Sequence, residues 1–194
     1  MASEVNVPAA LARIAPSSLP YAPSWVDGLI GWINRLPVPP WLFYPSLLIP
    51  IFLIINASRW LEGRASFGSF DAPYGFTAIY PVTMLAAIHY LDRTARRAFE
   101  YFRPALGKNE AEAARLEYEL TVLPARPARL VAAVGAAFCL LLVLSGTTAQ
   151  QTLGTGIYFW TLLLCTGAGF VFTAELLYHT VRQLRLVTSK GSHE

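Results

Sequence analysis

The stretch "VLPARPARLV", residues 122–131, places two prolines and two arginines between a charged segment and an apolar one. Proline has no backbone N–H and disrupts a helix, so a helix that precedes this stretch must end here. The run that follows, "ARLVAAVGAAFCLLLVLSG" (128–146), is close to the ~20 residues that a 30 Å hydrocarbon core requires. The stretch therefore predicts an elbow, residues 122–127, where the chain turns from an aqueous segment into a membrane span.

Three more runs have the length and composition of transmembrane spans. Only 14% of the chain is charged, against about 25% in soluble domains. The apolar residues concentrate in the span after the elbow (128–146) and in residues 41–60, 74–91 and 157–181. Because an open strand edge cannot be satisfied in lipid, we expect helices. The predicted fold is an all-α polytopic membrane protein with four transmembrane helices.

Basic residues orient these spans. Of the 15 Lys and Arg residues, all but Arg59 and Arg64 fall on one face if both termini and segment 92–127 share it. The positive-inside rule then predicts a cell (inner) membrane protein with both termini cytoplasmic. The expected organisation is an N-terminal cytoplasmic tail (1–23), an amphipathic helix with spans one and two (24–91), a cytoplasmic helical hairpin (92–127), spans three and four (128–181) and a basic tail (182–194).

Two amphipathic segments are predicted to lie at the membrane surface. "SWVDGLIGWINRL" (24–36) places Trp25, Leu29 and Ile33 on one face and begins with a capping-box-like pair, Ser24 and Asp27. The second segment precedes the elbow and has Asn109 as its expected N-cap. An L-P-x-x-P pattern follows each segment, at 36–40 and 123–127, which suggests a tandem repeat of a two-span unit. Interfacial junctions that use proline independently would explain the same pattern.

Residues 115–130, "RLEYELTVLPARPARL", resemble a segment of uncharacterised bacterial multi-pass membrane proteins. The resemblance covers only this part of the chain, implies further spans beyond those counted above, and transfers no activity or site residue. Small residues cluster in "AAVGAA" (132–137) and "CTGAG" (165–169), which predicts close packing of spans three and four on each other or on a partner.

Ionisable residues near the membrane boundary are the candidate functional groups, because such residues are costly in lipid. Glu175, His179 and Arg182 share one face of span four, and His89 and Asp92 lie at the end of span two. Three hypotheses follow: a divalent metal held by histidines and carboxylates, a haem ligated by His89 and His179, or a Glu175–His179 proton relay. The alternative is that these side chains reach to headgroups or form ion pairs within their helices.

Function is predicted only broadly, and an enzyme is disfavoured because no catalytic motif is present. The leading hypothesis is a non-enzymatic membrane subunit or scaffold that packs against partner subunits or copies of itself. The alternatives are a ligand-sensing or transport bundle that uses Glu175, and a haem- or metal-binding membrane protein. Nucleic acid is not expected as a partner, because anionic lipid is the counter-charge for the boundary arginines. Lipid headgroup contacts are expected at Arg93, Arg96, Arg97, Arg126 and Arg129.

Overall fold

The computed structural model describes residues 20–70, 72–106, 109–145 and 156–191. Residues 1–19 of the predicted tail 1–23 lie outside the described residues. The described residues form six α-helices and one short 3-10 helix, Arg103–Leu106, between the third and fourth. The all-α prediction is confirmed for this part of the chain. The α-helices are α1 (Trp25–Arg35), α2 (Pro40–Leu61), α3 (Ala72–Phe102), α4 (Glu110–Thr121), α5 (Ala125–Leu144) and α6 (Ile157–Gly191).

Three of these helices are long and apolar enough to cross a membrane: α2, α5 and residues Ile157–Thr188 of α6. The 22 residues of α2 span ~33 Å at 1.5 Å per residue, which matches a hydrocarbon core. The chain is thus a helical membrane protein by the length and composition of its helices. The predicted span at 74–91 forms the first part of α3, where Tyr80, Pro81 and His89 dilute the apolar residues.

Helix boundaries differ from the predicted ones at the elbow and at two span ends. Helix α4 ends at Thr121 as expected, but α5 begins at Ala125, so Pro127 lies in its first turn. Proline is tolerated there because the N–H it lacks would have no partner within the helix. Helices α3 and α6 continue beyond Leu91 and Val181 without a break. The predicted elbow, residues 122–127, therefore overlaps the first turn of α5.

The chain forms two compact units. Of the described residues, unit 1 contains those up to Pro37, those of His89–Arg129 and those from His179 onward, and unit 2 contains those of Val38–Ile88 and Leu130–Tyr178. Each unit takes residues from both halves of the chain. The division therefore does not follow the two-span repeat that the L-P-x-x-P pattern suggests.

Unit 2 is centred on a small apolar core of Ile55, Ala78 and Tyr158, which come from α2, α3 and α6. Near this core, Glu62 links the end of α2 to the start of α6: its Oε1 accepts from the backbone N–H of Tyr158 at 2.7 Å. The Arg64 guanidinium contacts the other carboxylate oxygen at 2.8 Å. The Tyr158 amide and Arg64 lower the pKa of Glu62, so a carboxylate serves as the helix N-terminal partner.

Glycine allows close approach at two places in unit 2. A Cβ at Gly135 of α5 would lie 2.8 Å from the carbonyl oxygen of Phe170 in α6. A Cβ at Gly169 would overlap the Tyr80 ring, whose hydroxyl hydrogen-bonds the Thr173 hydroxyl at 2.7 Å. The small-residue cluster at 132–137 therefore does bring α5 and α6 together, as the sequence predicts.

We expect Gly135→Ala to destabilise unit 2 by ~1–3 kcal/mol, because the obstructing atom is a backbone oxygen that cannot rotate away. Gly167→Ala is the matched control, since its Cβ would first meet the Cys139 sulfur at 3.9 Å, an ordinary contact. Thermal unfolding of the two variants in one detergent compares them. Equal midpoints for both would show that α5 and α6 do not touch at Gly135.

Candidate functional site

Helix α1 is positioned by its N-terminal cap. The Ser24 hydroxyl accepts from the Asp27 amide, and the Asp27 carboxylate accepts from the Ser24 amide at 2.8 Å, so the predicted capping box is confirmed. The buried face consists of Val26, Ile30 and Ile33. Trp25 is instead 40% exposed and Leu29 is partly exposed, so Ile33 is the one residue of the predicted face Trp25, Leu29 and Ile33 that is buried.

Asp27 also fixes α1 to the elbow. Its Oδ2 accepts from the backbone N–H of Leu123 at 3.1 Å and from the Ser24 hydroxyl at 2.7 Å. Burial raises the pKa of Asp27, and the three donors from Ser24 and Leu123 partly oppose that rise. The Asp27 carboxylate thus caps α1 and also accepts from the Leu123 amide, which lies outside both adjoining helices and needs a hydrogen-bond partner.

The residues before α1 pair with the elbow as well. The Ala125 amide donates to the Ala22 carbonyl at 3.1 Å, and Pro23 and Pro124 form an isolated antiparallel bridge. The Tyr118 hydroxyl donates to the Tyr21 carbonyl at 2.7 Å. Residues 21–23, predicted as part of a tail, are therefore an ordered part of unit 1.

Arg182 completes the elbow from α6. Its guanidinium donates to the Val122 carbonyl at 3.0 Å and to the Tyr21 hydroxyl, and it lies 5.4 Å from the centre of the Tyr21 ring. The Tyr21 hydroxyl in turn donates to the same Val122 carbonyl at 3.0 Å. Burial raises the pKa of Tyr21 to about 12 despite the nearby arginine, so the phenol keeps the proton that it donates.

A second polar contact joins the ends of α3 and α6. His179 Nε2 lies 2.7 Å from Asp92 Oδ1, with the histidine fully buried and the aspartate 5% exposed. Because a buried polar group is costly without a hydrogen-bond partner, this contact satisfies both side chains. One turn further along α6, the Gln183 amide donates to the Leu120 carbonyl at 3.2 Å. The predicted boundary residues Asp92, His179 and Arg182 thus all serve contacts within unit 1.

The other predicted site residues are placed differently. His89 is buried in unit 1, one turn before Asp92, and Glu175 is fully buried in unit 2. In the described ranges, no group of three or more His, Cys, Asp or Glu side chains could hold a metal ion. Arg96 is partly exposed, and the other expected headgroup contacts are exposed: Arg93, Arg97, Arg126 and Arg129.

Sequence reasoning missed Tyr21, Tyr118 and Gln183, and it gave Asp27 only its role as a cap. Tyr21 and Val122, which hydrogen-bond to each other, are 101 positions apart, so no local sequence pattern links them. One signal was present: a proline-broken elbow beside a span leaves backbone groups that must find partners elsewhere. Side chains with donors and acceptors were therefore to be expected around residues 122–125.

Comparison with known proteins finds no family model, no curated protein and no solved structure that matches the chain. The resemblance carried by residues 115–130 stays a prediction. What the site can do chemically is therefore inferred from its contacts: they hold unit 1 together, through side chains directed at backbone carbonyls and amides of the elbow.

We expect Asp92→Leu to destabilise the protein by ~1–3 kcal/mol, because it removes the Asp92 Oδ1 contact of the buried His179 Nε2. Adding His179→Leu should recover most of that loss, since replacing both members of a buried polar pair by apolar groups is close to neutral. Thermal unfolding of the two single variants and the double variant gives the coupling free energy between Asp92 and His179. Glu119→Gln, which removes the exposed Arg115–Glu119 pair at 3.0 Å, is the control and should cost ~0.5 kcal/mol. Additive effects of the two leucine substitutions would contradict a direct Asp92–His179 contact.

Proposed function

We propose that the protein is a non-enzymatic integral membrane subunit or scaffold that acts through packing of its transmembrane helices against a partner. The observation that supports this most directly is how its polar side chains are used. Asp27, Asp92 and Arg182 contact backbone or side chains of unit 1, in the manner of structural residues. The apolar helices, in contrast, present large uncovered side chains.

Helix α5 offers the face best suited to a partner. Leu130, Val134, Leu141 and Leu144 lie along one side of it, each 63–70% exposed. Ala133 and Ala137 beside them are exposed as well. Small side chains let a neighbouring helix approach closely, which is how helices associate in lipid. The proposed contact with a partner or a second copy is therefore this face of α5.

Four spans, rather than three, are favoured by the distribution of the basic residues. If α2 crosses the membrane, the basic segment 92–127 lies on the same face as the N-terminus only if α3 crosses back, and α5 and α6 form a second such pair. The positive-inside rule then predicts that both termini and segment 92–127 are cytoplasmic. The exposed arginines Arg93, Arg97, Arg126 and Arg129 would face anionic headgroups of that leaflet.

Ligand sensing or transport through Glu175 is the second candidate function. It is favoured by the complete burial of this carboxylate in a helix apolar enough to span a membrane. Ionisable residues at such positions often mark substrate or proton pathways. Glu175→Gln would then abolish the response to ligand while expression is maintained, whereas the scaffold role predicts an unchanged assembly.

Extraction in a mild detergent, followed by mass spectrometry, tests the leading proposal. We expect the protein to co-purify in an assembly larger than one chain, and Val134→Trp with Leu141→Trp to release it from that assembly. Leu53→Trp, on an exposed position of α2, should leave the assembly intact. A stable isolated monomer in wild-type extracts would contradict the scaffold role. A haem absorption band from the same sample would favour ligation by His89 and His179 instead.

A further inference from the structure

Unit 2 contains a cavity of about 200 Å³ between α5 and α6. Cys139, Leu142 and Val143 line it from α5, and Phe159, Leu163 and Thr166 are among the residues that line it from α6. None of the lining side chains is charged, and the Thr166 hydroxyl and the Cys139 thiol are the most polar groups among them. The cavity is therefore an apolar space within two candidate spans.

The packing of α5 on α6 accounts for this space. The backbones meet at Gly135 and Phe170, and the Phe138 ring packs edge-on against the Phe170 ring with centroids 5.3 Å apart. One residue further along α5 comes Cys139, which is opposed by the small residues Thr166 and Gly167. Small side chains beside a fixed helix contact leave a volume that no atom of the described residues fills.

Water is a poor occupant of such a cavity. A buried water needs two to four polar partners, and an apolar cavity of about 150 Å³ is known to stay dry and to bind small apolar molecules instead. Leaving the space empty sacrifices dispersion contacts and destabilises the packed helices. The occupant should therefore be apolar, flexible and abundant where α5 and α6 reside.

We propose that the cavity binds a segment of a lipid acyl chain. Hydrocarbon surrounds a transmembrane helix at high concentration. Only 17% and 11% of the residues in the most apolar windows of α5 and α6 are buried. The uncharged lining provides nothing to hold a headgroup, so the site recognises the tail and does not select among headgroups. This inference does not depend on the scaffold role.

Photo-crosslinking in membranes tests the proposal. The protein is reconstituted in vesicles of phosphatidylcholine that carries a photoreactive diazirine midway along one acyl chain. After illumination, mass spectrometry locates the labelled residues. We expect labelling at Leu163 and Phe170, and at least a fivefold loss of it in Thr166→Phe, whose ring fills the cavity.

Leu164→Phe is the matched control, because it adds a similar side chain on the same helix at a position that is 72% exposed. It should leave the labelling of Leu163 and Phe170 unchanged. Cys139→Leu, a smaller filling substitution, repeats the test if Thr166→Phe does not elute as a folded protein. Labelling that persists in both filled variants would overturn the proposal. The proposal would also be overturned if the filled variants changed oligomeric state and did not lose labelling, because the occupant would then be a second copy of the chain.

Discussion

Backbone satisfaction at the elbow is the constraint on which unit 1 depends. Residues 122–124 lie between α4 and α5, and Ala125 is the first residue of α5. The Val122 carbonyl and the Leu123 and Ala125 amides therefore need partners from outside these two helices. Asp27 accepts from the Leu123 amide, Arg182 and Tyr21 donate to the Val122 carbonyl, and Ala22 pairs with Ala125. Because these partners come from both ends of the chain, satisfying one short stretch also fixes α1 and the end of α6.

Both units combine apolar packing with directed hydrogen bonds. Unit 1 has an apolar cluster of Phe99, Ala113 and Leu116 beside the buried Asp92–His179 contact. Unit 2 has close packing at Gly135 and Gly169 beside the hydrogen bonds of Glu62 and Tyr80. Helices α3 and α6 contribute residues to both units.

Local patterns predicted the helices well. Hydropathy located α2, α5 and α6, and the side-chain caps Ser24 and Asn109 were read directly, because each of these signals resides within a few consecutive residues. The elbow was identified by its prolines, although Pro127 proved compatible with the first turn of α5.

Contacts over long separations could not be predicted. Tyr21, Tyr118 and Gln183 look like ordinary polar residues until the fold brings them beside the elbow, and nothing nearby in sequence distinguishes them. The proposed repeat remains a prediction because it relates distant segments. The fourth span remains one because Pro81 and polar side chains interrupt the apolar residues of α3.

The pairing of the N-terminal segment with the elbow is the central claim, and disulfide cross-linking tests it most directly. Ala22 and Ala125 flank the Pro23–Pro124 bridge and share the hydrogen bond from the Ala125 amide to the Ala22 carbonyl. Hydrogen-bonded antiparallel pairs have Cα atoms ~5.5 Å apart, a distance that a disulfide spans. In a background of Cys139→Ala and Cys165→Ala, Ala22→Cys with Ala125→Cys is oxidised in native membranes beside a control pair, Ala22→Cys with Glu112→Cys. The elbow account predicts rapid, nearly complete intramolecular cross-linking of the first pair and little of the second. Equal or negligible cross-linking of both pairs would contradict it.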